Sequence, residues 1–259
     1  MKKIISLILV AVLMIGCAFT LNSCGAKGKT LADVKAAGKL TVATSPDFPP
    51  FENLEGDEVV GIEVEILELV CAELGVELEL IQMDFDSVLI GVQSAKYDCG
   101  MSGITVNEKR EKSMLFTSPY YVAAQSIVVK TGSGINSKAD LDGKKVSVQT
   151  ATTAEDFCSN AGYDVQSFQA NADAKAALTS GRVEAWVVDN LTAKQMVAEG
   201  DGLTILSENM TEEPYAFAFA FGSEDLVAEI DKIVKALVAD GTVADIFEEF
   251  GEAYSAPAN

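Results

Sequence analysis

The chain has 259 residues, with 39 acidic against 19 basic side chains, five cysteines and no histidine. That charge balance argues against nucleic acid and against docking on anionic lipid, since both need clustered lysine and arginine. The lack of histidine excludes Ser-His-Asp and Cys-His nucleophiles and removes the commonest metal ligand.

Residues 1–23 read as an export signal. Lys2 and Lys3 precede an apolar run from Ile4 to Leu13, which is too short to favour a stable membrane span. Leu21-Asn22-Ser23-Cys24-Gly25 resembles a lipobox, so the expected mature chain starts at a lipid-modified Cys24 on the outer face of a membrane. Cys17 is the weaker cleavage candidate. Residues 24–33 read as a polar, lipid-anchored tether. Loss of Lys2 and Lys3 leaves 17 basic residues and a formal charge of −22, which favours solubility. Cys71, Cys99 and Cys158 fit no zinc spacing and are expected as buried small apolar side chains.

The remaining chain alternates strands and helices. Leu40 to Thr44 predicts a strand and Ile62 to Leu74 an amphipathic helix stopped by Gly75. Val76, Leu78 and Leu80 alternate as a strand. Ser87 to Lys96 predicts a helix, capped by Asp86 or Ser87, and Asp98 to Met101 a strand. That order implies a parallel sheet. A second set follows: strands at Lys145 to Val148, Val165 to Phe168, Val183 to Val188 and Leu203 to Leu206, with helices from Thr153, over Ala172 to Thr179 and over Asn190 to Glu199. Tyr215 to Phe221 alternates aromatic with alanine, as a half-buried strand does. Leu226 to Leu237 and a segment ending at Phe250 are helical. Two α/β units suggest two lobes with a cleft at the carboxyl ends of the strands.

Function is therefore expected in the loops after residues 44, 83, 101, 148 and 188. Phe48 and Phe85 stand at two strand ends, where rings either fold into the core or sandwich the apolar part of a ligand. Ser102, Gly103 and Thr105 precede Arg110, whose guanidinium fork matches a carboxylate, although an arginine in so charged a run is more often solvated. Thr152 and Thr153 open a helix, as a simple N-cap or as a spot that welcomes an anion. Asp189 ends a strand, either capping the next helix or pairing with an ammonium. One cation and one anion with neutral donors between them suit a zwitterion such as an α-amino acid. Gly100-Met101-Ser102-Gly103 lacks the second glycine position and the base of a nucleophile elbow. Gly28-Lys29-Thr30 lacks the upstream glycine of a phosphate loop.

Several segments together resemble the bacterial extracellular solute-binding proteins of polar amino-acid ABC transporters, family 3. They are Gly38 to Phe51, Gly61-Ile-Glu-Val-Glu65, Asp84-Phe-Asp86, Gly103 to Arg110, Phe116 to Tyr121 and Ser180 to Asp189. The resemblance implies a periplasmic-binding-protein type II-like fold of two α/β lobes. Lobe 1 would hold residues 34–123 plus 217–259, and lobe 2 residues 124–216. Hinge strands would fall near Val122–Ser126 and Glu213–Ala218. It implies a carboxylate clamp at Arg110, further contacts from Ser102, Gly103, Thr105, Thr152 and Thr153, an ammonium site at Asp189, and ring contacts from Phe48 and Phe85. Binders of basic amino acids carry an acid where this chain has Ser45, so a neutral polar ligand is expected, with Asp47 as the nearest counter-argument. Gly61-Ile-Glu-Val-Glu65 is expected to serve helix capping and the rim. The implied protein is a monomer without a cofactor that works with a permease and its ATPase. Cyclohexadienyl dehydratases resemble the same binders, and a ligand-sensing lipoprotein would have the same site, so an enzyme and a sensor are the rivals.

Overall fold

Helix α1 (Leu31–Ala37) opens the computed structural model, which describes residues 27–258. The export signal and Cys24 lie outside that range. Thr30 and Asp33 form a reciprocal capping box, and Gly38 ends the helix in the left-handed region at φ 70°. Residues 31–33, expected in the tether, are therefore helical. The residues just before them are docked: the Gly28 N–H donates to the Phe221 carbonyl at 2.9 Å, and Lys29 lies 2.8 Å from the Asp98 carboxylate.

Strand β1 (Lys39–Thr44) leads into a small antiparallel sheet of β2 (Asp47–Phe48), β3 (Glu52–Glu55) and β4 (Glu58–Val60), which the sequence patterns do not reveal. Helix α2 (Ile62–Leu74) follows, with Ile62, Ile66, Val70 and Leu74 all buried. It begins after Gly61, where a Cβ would sit 2.1 Å from the Phe51 carbonyl oxygen, so only glycine fits. Next come β5 (Glu77–Gln82) and α3 (Phe85–Gln93). Helix α3 starts two residues earlier than expected: Asp84 occupies the N-cap position, while the Asp86 carboxylate accepts the Ser87 N–H at 2.7 Å. Then follow β6 (Cys99–Gly100), α4 (Glu108–Glu111), β7 (Leu115–Phe116), β8 (Tyr121–Ala123) and β9 (Gln125–Lys130).

The second set is β10 (Lys145–Gln149), α5 (Thr153–Asn160), β11 (Asp164–Phe168), α6 (Asn171–Thr179), β12 (Ala185–Asp189), α7 (Asn190–Met196) and β13 (Leu203–Ile205). The chain closes with β14 (Glu213–Tyr215), β15 (Ala218–Phe219), α8 (Glu224–Ala239) and α9 (Thr242–Glu249).

Two five-stranded sheets result, ordered β5-β1-β6-β15-β7 and β11-β10-β12-β9-β13. In each, three neighbouring strands are parallel, the fourth runs antiparallel to them, and the fifth runs antiparallel to the fourth. Between them β8 pairs antiparallel with β14, Tyr121 opposite Tyr215, as a two-stranded crossing. The expected half-buried strand over Tyr215 to Phe221 does not form. Residues 215–220 are all buried, because this stretch leaves the crossing and enters the middle of the first sheet, covered on both faces. Helices α8 and α9 return to pack on α2. Cys71, Cys99 and Cys158 are free and buried, and burial pushes the Cys71 thiol up to about 11 and that of Cys158 to about 12.

Candidate functional site

Strands β1, β6, β10 and β12 aim their carboxyl ends at one narrow cavity, with free space of about 20 Å³, roughly what a single water needs. All ten residues singled out in the sequence line it. Ser45 follows β1. Its N–H donates to the Ser102 hydroxyl at 2.8 Å, and its own hydroxyl donates to Asp47 at 3.1 Å. Gly103 follows β6 with φ 52°, and a Cβ there would lie 2.5 Å from the Phe48 ring. The Phe48 ring stacks on Phe51 at 5.6 Å and also borders the cavity. Phe85, the first residue of α3, lies 5.5 Å below the Arg110 guanidinium.

Arg110 is buried, at 7 % exposure, although its neighbours in sequence are charged and exposed. The Asn107 side chain caps the short helix α4 by accepting the Arg110 N–H, which turns the arginine inward. Its Nη1 donates to the Thr105 carbonyl at 2.9 Å and its Nη2 to the Ala151 carbonyl at 3.3 Å. Burial draws its pKa below the ordinary arginine value, while Glu213, Asp156 and Asp189 oppose that shift. It remains a cation at any physiological pH.

Thr152 behaves as the N-cap of α5, accepting the Glu155 N–H at 3.2 Å and donating to the Gln149 carbonyl at 2.7 Å. Thr153 opens the helix, its hydroxyl 3.3 Å from the Gln125 amide nitrogen. Asp189 occupies the cap position of α7 but makes no capping bond. Its carboxylate instead accepts Gln125 Nε2 at 2.9 Å and the Tyr215 hydroxyl. Burial, and then the nearby Glu213, raise its pKa to about 7, with the Tyr215 and Gln125 bonds pulling the other way. A buried anion so placed lacks only a positive partner.

Three further residues line the cavity. Asp47 accepts the Asn171 N–H at 2.8 Å and Gln149 Nε2 at 3.3 Å, joining the small β2–β4 sheet to the second five-stranded sheet. Gln149 ends β10, so its loop was legible, but its side chain was not. Glu52 is fully buried, with both carboxyl oxygens lacking a hydrogen-bond partner among the described residues. Burial and then Glu63 push its pKa well above the ordinary glutamate value. Nothing in the sequence marks it, because it sits on the β2–β4 sheet that periodicity misses. Glu63, expected at the rim, is fully buried beneath the cavity. It accepts the Gly103 N–H at 2.9 Å and the Tyr120 hydroxyl.

Known proteins share this plan. The family model for bacterial extracellular solute-binding proteins, family 3, matches residues 40–253. The arginine-binding extracellular protein ArtP of Bacillus subtilis (strain 168) is 31% identical over 248 residues, 93% of this chain and 94% of its own. The L-cystine-binding protein TcyJ of Escherichia coli (strain K12) is 30% identical, covering 85% of each chain. A variant of ArgBP from T. maritima superposes with a TM-score of 0.81 at 34% identity, covering 85% of this chain and 98% of that one. Architecture, strand-end cavity and sequence agree, and the chain belongs to the bacterial extracellular solute-binding proteins, family 3, with their type II periplasmic-binding fold.

Proposed function

We propose that this protein captures a free amino acid between two lobes and delivers it to an ABC permease powered by a partner ATPase, working as a monomer held by a lipid on Cys24. Lobe 1 comprises residues 34–123 and 217–259, and lobe 2 residues 124–216. The observation that carries the reading is the placement of Arg110 and Asp189 on one cavity, a buried guanidinium and a buried carboxyl group. The ligand carboxylate pairs with Arg110 and is approached by the start of α5 at Thr152 and Thr153. The α-ammonium pairs with Asp189. Phe48 and Phe85 hold the aliphatic part, and Ser45, Ser102, Gly103 and Thr105 supply contacts from the first lobe. Because the two charges sit on different lobes, the zwitterion favours closure.

Ser45, in place of an acid, supports a neutral polar side chain. A second reading, a cationic side chain, is favoured by Glu52 and Asp47: Arg110 is the one basic residue among those lining the cavity, and three carboxyl groups face it. A thermal-shift panel of the twenty amino acids on refolded, ligand-free protein tests both. A ligand at a thousandfold its dissociation constant adds about 4 kcal/mol. Stabilisation by serine, glutamine or asparagine supports the neutral reading, and stabilisation by arginine or lysine the cationic one. A folded sample that responds to none refutes amino-acid capture.

A further inference from the structure

Behind the cavity wall lies a pair of carboxyl groups that amino-acid capture does not itself require. Glu52 and Glu63 are both fully buried. Two neighbouring donors, the Gly103 N–H and the Tyr120 hydroxyl, both serve Glu63. Glu52 lines the cavity with neither oxygen in a well-formed hydrogen bond among the described residues, and the Ser102 hydroxyl and Glu63 are its neighbouring partners. A bare carboxylate in that position is costly, whereas a neutral carboxyl is tolerated. The surrounding groups deepen the contrast. Glu63 on α2 and Asp47 on β2 both disfavour a charge on Glu52, and Tyr120, between β7 and β8, is neutral with Cys99 behind it. Arg110 is the sole nearby cation on the cavity, and Thr105 and Ala151 already hold it.

We propose that Glu52 carries a proton in the empty site and loses it to solvent when a cationic side chain enters, so that capture of a basic amino acid releases a proton that capture of a neutral one does not. This rests on the amino-acid reading above and extends it to a charge-reading device in which Glu63 acts as a positioning residue by withholding donors from Glu52. A neutral polar side chain instead meets a protonated Glu52, which both donates and accepts a hydrogen bond. One cavity can then accept both kinds of ligand, with pH setting the preference.

Calorimetry in phosphate and in Tris, whose ionisation enthalpies differ, counts the protons. Asp189 contributes equally for every amino acid, because every α-ammonium meets it. The difference between arginine and glutamine therefore reports on Glu52 and Asp47, and Glu52→Gln separates the two. Arginine is expected to release about one more proton than glutamine near neutral pH. In Glu52→Gln that difference is expected to vanish, with the affinity ratio of arginine to glutamine reduced at least ~10-fold. Should that variant fail to fold, the wild-type affinity ratio of arginine to glutamine is expected to rise with pH. Equal proton release for both ligands, a pH-independent ratio, or a difference that survives in Glu52→Gln each overturns the proposal while leaving amino-acid capture standing. Absence of heat with every amino acid overturns the capture reading and the proposal with it.

Discussion

Burial of Asp189 costs stability. In the folded protein its carboxyl is raised to about 7 by burial and Glu213, whereas an unfolded aspartate titrates near ~4. Between those values the folded state holds the extra proton, so stability falls as pH rises and the full penalty is present above pH 7. Asp189→Asn is expected to raise the melting temperature more at pH 8 than at pH 5 while abolishing amino-acid binding, and a paired thermal and calorimetric measurement checks both. Tyr215→Phe removes a donor that favours the charged form. The acid-side loss of ligand affinity should then begin at a higher pH than in wild type. Arg110→Ala leaves a desolvated ligand carboxylate unpaired and should cost about 3 kcal/mol, roughly a hundredfold in affinity, with the fold intact. Unchanged affinity in that variant would remove Arg110 from the site.

At the scale of elements, rigid backbone ends hold these side chains. The turn after β6 brings Gly103 against the Phe48 ring at a positive φ. Gly103→Ala should therefore displace the ring and weaken ligand binding, with little change in far-UV circular dichroism. Thr152→Ala removes the cap of α5 and should lower stability by about 1 kcal/mol, measured by denaturant unfolding. Legibility in the sequence followed the elements. Helix α2 is legible over Ile62–Leu74 because an apolar stripe and Gly75 mark it. The parallel strands and their loop ends were equally plain, and with them all ten expected residues of the cavity wall. The β2–β4 sheet was hidden because two- to four-residue strands carry no period. Glu52 was hidden with it, as were the side-chain roles of Glu63 and Gln149. The inward turn of Arg110 was also beyond the sequence, since a charged run ordinarily predicts solvent and only the Asn107 cap reverses it.

Across the whole molecule, the two sheets meet over the cavity through unequal bridges. Asp47, half-buried, accepts from Asn171 and Gln149. Lys109 and Asp156 pair at 2.7 Å, but with side chains 74% and 48% exposed. An exposed pair contributes little, whereas a satisfied, partly buried carboxylate contributes more. Asp47→Ala should then weaken every amino-acid ligand by about tenfold and shift the unliganded protein toward a larger radius of gyration in small-angle scattering. Lys109→Ala should change affinity by less than ~3-fold. The proposed capture holds the ligand across the cleft by its two α-groups, one on Arg110 and one on Asp189. Its most direct test is to take the amino acid that stabilises the protein most and compare its affinity, by calorimetry, with those of its decarboxylated amine and its N-acetyl derivative. Both derivatives are expected to lose at least ~100-fold, since each leaves a buried charge without a partner. Retention of affinity by either one would contradict it.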